Sequence, residues 1–138
     1  MALTAHLWFS GQCREAFNFY AQLFGGELMM LTYGDTPMAK ELPAEWGEKI
    51  VHATLSFDGS ELAGADVQSE HYRRPQGFWV LVDVEGDEEA HRIFTALAEG
   101  GSVDMPMHET FWSSAFGVLT DRFGIPWEIN GKSAGDRR

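Results

Sequence analysis

The chain has 138 residues, of which 44% are hydrophobic and 13% aromatic, so it is long enough and apolar enough to bury the core of one domain. Ten basic against 21 acidic side chains give a formal net charge of −11, which excludes nucleic acid and an anionic membrane as expected partners. The lone Cys13 excludes an intramolecular disulfide, and no stretch reaches the roughly 18 apolar residues of a membrane span. We therefore expect one cytoplasmic domain over residues 1–138.

The first half of the chain combines a helix with several strands. Residues 4–10 alternate in the manner of a strand, and apolar residues then recur at helical spacing from Cys13 to Phe24. The pair Gly25-Gly26 ends this helix, because glycine adopts the left-handed cap conformation without steric cost. Three further strands are predicted at Glu27 to Tyr33, Ile50 to Phe57 and Glu61 to Val67, the last two joined by a turn at Asp58-Gly59.

Residues 35–49 interrupt this order. They hold Pro37, Pro43 and Gly47 among charged residues, which predicts a loop rather than a regular element. The corresponding interval in the second half is shorter, so we interpret residues 35–49 as an insertion and as a candidate lid over a ligand cleft. A plain surface loop is the alternative.

The second half repeats the order of elements after a polar joint at residues 69–76. A strand is predicted at Gly77 to Val84, Asp87 is the expected N-cap of the next helix, and Gly100-Gly101 ends that helix. The remaining strands are predicted at Ser102 to Met107, Phe111 to Thr120 and Ile125 to Asn130, before a polar, frayed tail from Gly131.

Two successive blocks of strand, helix, glycine pair and three strands form an internal repeat, unless common local patterns coincide by chance. The repeat predicts an α+β fold made of two βαβββ modules. Module one covers about residues 1–68 and module two about residues 77–131. We expect the two modules to form a cupped mixed sheet around a small ligand.

Several runs of residues resemble the PhnB-like proteins. These belong to the vicinal-oxygen-chelate superfamily, together with glyoxalase I, fosfomycin-resistance enzymes, bleomycin-resistance proteins and extradiol dioxygenases. The resemblance covers nearly the whole chain. It is carried by Leu7 to Cys13, Glu15-Ala16, Phe19-Tyr20, Phe24-Gly25, His52-Ala53, Asp58 to Glu61, Glu109 to Trp112, Phe116-Gly117, Thr120 to Trp127 and Ile129-Asn130.

The resemblance implies a glyoxalase-like fold of paired βαβββ modules and, as is usual in the superfamily, a homodimer. In catalytic members a divalent metal ion sits on four ligands, mostly His and Glu, from the first and last strands of each module. Such a centre leaves coordination positions open for two oxygens of the substrate.

Two of the four implied ligand positions have a candidate donor in this chain. Glu128 stands in the last strand of module two, at the position of the family's final carboxylate. In the first strand the implied position falls at Ala5, one residue before His6. A slip of one residue would turn His6 to the other face of the sheet, so its role depends on a register that the sequence leaves undecided.

The other two implied positions lack a suitable donor. One falls at or beside Phe78, and the other falls near Leu62 or Ala63, with Glu61 and Asp66 nearby but displaced. We therefore expect no native metal ion and no other cofactor. If a divalent metal ion is nevertheless bound, Glu128 and His6 are its candidate ligands.

Further candidate residues for a ligand cleft are Trp8, Phe78, His108, Glu109 and Trp112. His108-Glu109 beside Phe111-Trp112 would place a proton-transfer pair next to aromatic walls, although a structural role at a strand bend or a dimer seam is the alternative. Glu128 could accept a hydrogen bond or pair with a ligand cation on the wall of the cleft. Catalytic residues remain unassigned.

The first functional hypothesis is a metal-free protein that binds a small cationic or aromatic molecule, like the bleomycin-sequestering branch of the superfamily. The alternative is a metal-dependent lyase, isomerase or dioxygenase of the glyoxalase type, against which the missing ligands count. Some relatives carry a ubiquinone-methyltransferase label. The chain lacks the glycine-rich strand-to-helix turn, followed by an acidic strand end, that would bind S-adenosylmethionine in a doubly wound fold.

Overall fold

The computed structural model describes residues 1–132. By its internal contacts the chain divides between Arg73 and Arg74 into two units, module one and module two. Each module contains one α-helix and one four-stranded mixed sheet in the order βαβββ. The predicted α+β fold with two βαβββ modules is therefore confirmed.

Module one follows the predicted order of elements. They are β1 Ala5–Phe9, α1 Cys13–Phe24, β2 Glu27–Thr32, β3 Ile50–Phe57 and β4 Ser60–Asp66. The strands lie in the order β1-β4-β3-β2, where β1 pairs in parallel with β4 and the other neighbours are antiparallel. The parallel pair brings the first and last strands of the module side by side.

An apolar stripe on α1 covers one face of this sheet. The stripe has the spacing expected of an amphipathic helix, and its members are completely buried: Cys13, Ala16, Phe17 and Tyr20. Phe9 of β1 meets Phe17 edge to face, with ring centroids 6.1 Å apart. The helix ends at Gly25, whose N–H donates to the Ala21 carbonyl at 2.8 Å.

The segment between β2 and β3 is more regular than the predicted loop. It contains three short 3₁₀ helices, Tyr33–Asp35, Pro37–Glu41 and Ala44–Glu48. The prediction was wrong because the hydroxyl of Thr36 accepts the Met38 N–H at 3.2 Å, which caps the second of these helices at its proline. Two hydrogen bonds tie the segment to α1 and to the loop before it. Lys49 Nζ donates to the Gly11 carbonyl, and Arg14 Nη2 of α1 donates to the Glu48 carbonyl. Its role as a lid stays a prediction.

Module two repeats the architecture of module one. Its elements are β5 Val80–Glu85, α2 Asp87–Ala98, β6 Ser102–His108, β7 Ala115–Thr120 and β8 Pro126–Lys132. The strand order is β5-β8-β7-β6, with β5 and β8 parallel. The buried stripe of α2 consists of Ala90, Ile93, Phe94 and Leu97.

The first strand of module two begins later than predicted. The alternation favoured Gly77 to Val84, whereas β5 covers Val80–Glu85. The ladder between β5 and β8 begins where Val80 pairs with Trp127. Pro126, the residue before Trp127, has no N–H with which to extend this ladder to an earlier residue of β5. Phe78 therefore precedes the strand and is 48% exposed.

The predicted strand from Phe111 to Thr120 is also shorter than expected, because β7 begins at Ala115. The residues before it form a turn in which the Thr110 N–H donates to the Ser113 carbonyl at 2.9 Å. The Ser113 hydroxyl lies 2.9 Å from the Gly131 carbonyl, to which it donates, and holds this turn against β8. Phe111 and Trp112 therefore lie in a turn rather than in a strand.

Two boundaries differ by a residue or two. Asp87 is the first residue of α2 and Gly86 is its N-cap, since the Gly86 carbonyl accepts the Ala90 N–H at 3.2 Å. The predicted frayed tail begins too early, because Gly131 is buried and β8 continues to Lys132. Residues 133–138, the remainder of that tail, lie outside the described residues.

Neither α-helix of residues 1–132 has the length and apolar character needed to cross a lipid bilayer.

Candidate functional site

Each sheet has one face against its own helix and a second face that this helix leaves uncovered, which we call the open face. In β1, Leu7 and Phe9 are buried towards α1 at 3% and 1% exposure, so alternation places His6 and Trp8 on the open face. The sequence left the face of His6 undecided, and the structure settles it by pairing His6 with Ala63 of β4.

His6 meets a second histidine, His52 of β3, across strand β4. The ring centroids are 5.8 Å apart and the ring planes differ by 20°. Ala63 and Ala65 lie in β4 between the two strands, and their small side chains leave room for the rings. Partial burial, together with the neighbouring His52, lowers the pKa of His6 below its ordinary value of 6.5. The two residues form what we call the histidine pair.

Replacing His52 by glutamine is expected to raise the pKa of His6, because the charge repulsion disappears while the burial remains. A histidine with a lowered pKa in the folded chain binds protons less readily than in the unfolded chain. The free energy of unfolding therefore falls as the pH drops below about 6.5, and this loss should be smaller in the variant. Titration of the His6 ring signals by NMR measures the change.

The matched control for this titration is His91→Gln, on the exposed surface of α2 in module two, which should leave the pKa of His6 as it is in the natural chain. A His52→Gln protein with an unchanged pKa at His6 would contradict the coupling within the histidine pair.

The position implied for a metal ligand in the last strand of module one, at Leu62 or Ala63, has no donor side chain. Ala63 occupies the open face beside His6, and Leu62 is buried on the opposite face at 5% exposure. Asp66 is buried at 1% exposure, and its carboxylate accepts three main-chain N–H groups, so it serves the fold. Glu61 is exposed near the start of β4, two residues before Ala63 and by alternation on the same face.

Glu128 lies on the open face of module two. Its neighbours in β8, Trp127 and Ile129, are buried at 1% and 0% exposure. By register Glu128 stands between Leu81 of β5 and Val118 of β7. The half-buried carboxylate is thus flanked by apolar side chains. Phe78 precedes β5 and is not among the residues paired with Glu128.

His108 and Trp112 both pack against Phe116 of β7. The ring centroid of Phe116 is 5.4 Å from that of Trp112 and 6.3 Å from that of His108. His108 Nδ1 lies 2.8 Å from the Pro106 carbonyl, which can only accept, so Nδ1 carries the proton and donates it there. Glu109 is exposed in the loop after β6. The main chain, rather than this carboxylate, therefore orients the imidazole.

The donor set of the described chain does not fit a four-ligand metal centre. Within residues 1–132, no group of three or more His, Cys, Asp or Glu side chains is arranged to hold a metal ion. The histidine pair supplies two imidazole donors, and Ala63 and Ala65 of β4 lie between them.

A cavity of about 260 Å³ lies within module one, and we call it the module-one pocket. Trp8, Tyr33 and Trp46 form aromatic walls, while Gln68 and His71 contribute polar groups. Tyr33 donates its hydroxyl to the Asp66 main-chain carbonyl at 2.7 Å, and its ring meets Trp46 edge to face at 5.5 Å. Burial and the charge of Asp66 raise the pKa of Tyr33, which keeps this donor protonated.

The sequence pointed to only part of this pocket. Trp8 was a candidate cleft residue, and residues 35–49 were a candidate lid. Tyr33 and Trp46 were missed, although two aromatic residues within or beside a proline-containing insertion are a signal that could have indicated a wall.

Comparisons with known proteins match one protein family over nearly the whole chain. A family model described as 3-demethylubiquinone-9 3-methyltransferase matches residues 1–130. Protein YjdN of Escherichia coli (strain K12) is 33% identical over 139 residues, which cover 94% of this chain and 95% of YjdN. Protein PA1353 from Pseudomonas aeruginosa is 42% identical, and its crystal structure superposes with a TM-score of 0.88 over 96% of this chain and 98% of that chain.

Two further solved structures are similar in fold to this chain. A putative 3-demethylubiquinone-9 3-methyltransferase, PhnB protein, from Bacillus cereus is 26% identical, with a TM-score of 0.76 over 95% of this chain and 99% of that chain. A glyoxalase/bleomycin resistance protein/dioxygenase family enzyme from Burkholderia phytofirmans PsJN is 16% identical, with a TM-score of 0.63 over 93% of this chain and 95% of that chain. At that identity the likeness concerns the fold alone, and it confirms the predicted glyoxalase-like architecture.

Proposed function

Because the chain belongs to the family of PhnB-like proteins described as 3-demethylubiquinone-9 3-methyltransferase, we propose that it binds a small organic molecule without a resident metal ion. The module-one pocket is the observation that carries this proposal. It is a concave site with mainly apolar and aromatic walls and two polar side chains, which is the usual composition of a small-molecule site.

The size of the pocket supports a compact ligand. Its volume of about 260 Å³ lies just below the range of roughly 300–1,000 Å³ that holds drug-sized molecules. Trp8 connects the pocket with the open face of module one, which also presents the histidine pair. In the pocket itself the ligand would find apolar and aromatic surface, the amide of Gln68 and the imidazole of His71.

Glyoxalase-type metal chemistry needs several donors that converge on one point, with coordination positions left for the substrate. Here Ala63 and Leu62 stand where the family resemblance implies a donor, and Phe78 lies outside the strand that would have to place it. Glu128 and the histidine pair alone do not complete such a set. These positions support binding without a resident metal ion.

The family description also names a methyltransferase. A doubly wound fold binds a nucleotide-like cofactor at the carboxyl ends of parallel strands. Each sheet of the described chain instead has one parallel pair of strands and two antiparallel pairs. A family name alone does not assign a reaction to a member of the family. We therefore propose ligand binding, with no methyl transfer.

Thermal unfolding of the full-length protein tests the proposal. A ligand at about 100 times its dissociation constant stabilises the folded state by about 2.7 kcal/mol, which raises the midpoint temperature of a domain this size by several degrees. We expect such a rise with at least one member of a panel of small organic compounds, and none with nickel, zinc, manganese or iron(II). A rise with one of these metal ions that disappears in Glu128→Ala would contradict it.

A further inference from the structure

We propose that the module-one pocket is a site for a planar aromatic molecule without negative charge, about the size of one fused two-ring system. This inference rests on the proposed small-molecule binding and adds the class of ligand and the residues that select it. The described residues that line the pocket all lie between positions 8 and 71, so they belong to module one.

The aromatic walls favour a flat ligand. Trp8 and Trp46 offer indole rings from β1 and from the third 3₁₀ helix, and Tyr33 offers a phenol ring. Aromatic groups gain energy beyond the burial of area when they stack or meet edge to face. A planar ligand can use such contacts with more than one of these rings, whereas a puckered aliphatic ring of the same size cannot.

Part of the wall is held in place before any ligand arrives. Tyr33 is anchored by its hydrogen bond to the Asp66 carbonyl, and Trp46 is anchored in turn by its edge-to-face contact with Tyr33. The Trp46 main chain is fixed as well, since its N–H donates to the Pro43 carbonyl at 2.9 Å and its carbonyl accepts the Lys49 N–H at 3.1 Å. Walls that are already ordered lose little conformational freedom on binding, which favours affinity for a rigid ligand.

The remaining lining residues define the charge and the polar edge of the ligand. Met38, Leu42 and Val67 add apolar surface, and Gln68 and His71 add an amide and an imidazole. Among residues 1–132, no lysine, arginine, aspartate or glutamate lines the pocket, so a ligand carboxylate would find no lysine or arginine to pair with there. The net charge of −11 further disfavours an anion.

Indole ¹H–¹⁵N NMR signals provide a direct test, because the chain has five tryptophans and two of them line the pocket. Quinoline is the planar probe, cyclohexylmethanol the non-planar one and 2-naphthoate the anionic one. Trp8→Phe and Trp46→Phe assign the two signals. Trp127 is an internal reference, since it is 1% exposed and its indole N–H is bound to Asp121 at 2.9 Å.

We expect quinoline to shift the Trp8 and Trp46 signals in a saturable manner and to leave the Trp127 signal in place. Cyclohexylmethanol and 2-naphthoate should bind at least about tenfold more weakly, as the loss of stacking and the unpaired charge imply. Trp46→Ala should weaken quinoline binding about tenfold. The matched variant Trp79→Ala, which removes an exposed tryptophan of module two, should leave the affinity unchanged.

Results of three kinds would overturn the inference, and they show whether the proposed function falls with it. Equal affinity for cyclohexylmethanol or 2-naphthoate would refute the class of ligand while small-molecule binding stands. Shifts confined to tryptophans other than Trp8 and Trp46, or equal weakening by Trp79→Ala, would refute the site. If none of the three probes nor any compound of the thermal panel affects the protein, the proposed function falls together with the inference.

Discussion

Replacing Asp66 by alanine is expected to lower the free energy of unfolding by about 3 to 5 kcal/mol, because it leaves three main-chain N–H groups without an acceptor. One carboxylate oxygen, Oδ1, accepts the N–H groups of Gly11 and Cys13 at 3.0 and 2.9 Å, and Oδ2 accepts the N–H of Ile50 at 2.9 Å. Each unsatisfied buried donor costs roughly 1 to 3 kcal/mol. Such a loss is a large part of the 5 to 15 kcal/mol that usually stabilise a folded domain.

The position of Asp66 explains why one side chain has so large an effect. It ends β4, and its three donors belong to the loop before α1, to the first residue of α1 and to the first residue of β3. Its main-chain carbonyl also accepts the Tyr33 hydroxyl, which supports a wall of the module-one pocket. The carboxylate therefore joins the end of β4 to residues 11–13 and to the start of β3, which are distant in sequence.

Urea unfolding followed by circular dichroism measures the effect of Asp66→Ala. Asp66→Asn should lose about half as much, because an amide oxygen in the Oδ1 position keeps two acceptor contacts while its NH₂ group faces the Ile50 N–H. The matched control Glu61→Ala, on an exposed position of the same strand, should change stability by no more than about 0.5 kcal/mol. A loss for Asp66→Ala no larger than that of Glu61→Ala would show that these hydrogen bonds do not hold the module together.

Replacing Gly26 or Gly101 by alanine is expected to destabilise its module by about 2 to 4 kcal/mol, because the added Cβ has no space. A Cβ at Gly26 would lie 2.1 Å from the Ser56 carbonyl oxygen, and one at Gly101 would lie 2.2 Å from the Thr120 carbonyl oxygen. Both oxygens belong to the neighbouring strand's backbone, so a rotamer change cannot relieve the clash. The effect should be larger at Gly26, whose φ of +94° adds strain for any other residue.

These two glycines occupy equivalent places in the repeat. Each is the second glycine of its pair and directly precedes the second strand of its module, where Glu27 pairs with Ser56 and Ser102 pairs with Thr120. A backbone shift at either glycine would open the first pair of that ladder.

Thermal or urea unfolding of the two variants measures these losses, with Gly47→Ala as the matched control. A Cβ at Gly47 meets nothing within 4 Å, and its φ lies outside the left-handed region, so this variant should be neutral or stabilised by up to about 1 kcal/mol. Equal stability of Gly26→Ala and Gly47→Ala would contradict the close approach of the strands.

Periodicity predicted the regular elements well where burial follows a strict pattern. The helix from Cys13 to Phe24 and the strand from Ile50 to Phe57 have the predicted bounds, and buried residues recur along both elements. The second glycine pair was also correctly placed at the end of α2. Errors arose where hydrogen bonds rather than hydrophobicity set the boundary, as at Val80 beside the proline of β8 and at Ala115 after the Ser113 turn.

The candidate site was less accessible to sequence reasoning. The contact between His6 and His52 depends on the register of two strands across a third, and a shift of one residue would have abolished it. Asp66 stood in the sequence as a displaced metal donor, whereas its hydrogen bonds give it a structural role. The module-one pocket depends on how residues 33–49 pack on the module, and local propensity does not determine that packing.

We propose that the protein binds its ligand without a resident metal ion. Elemental analysis of the full-length protein, purified without an affinity tag or chelator, tests it most directly. We predict far less than one equivalent of nickel, zinc, manganese or iron per chain, both in the natural protein and in Glu128→Ala. About one equivalent of a single metal in the natural protein, lost in Glu128→Ala, would contradict the account and would favour a metal-dependent enzyme of the glyoxalase type.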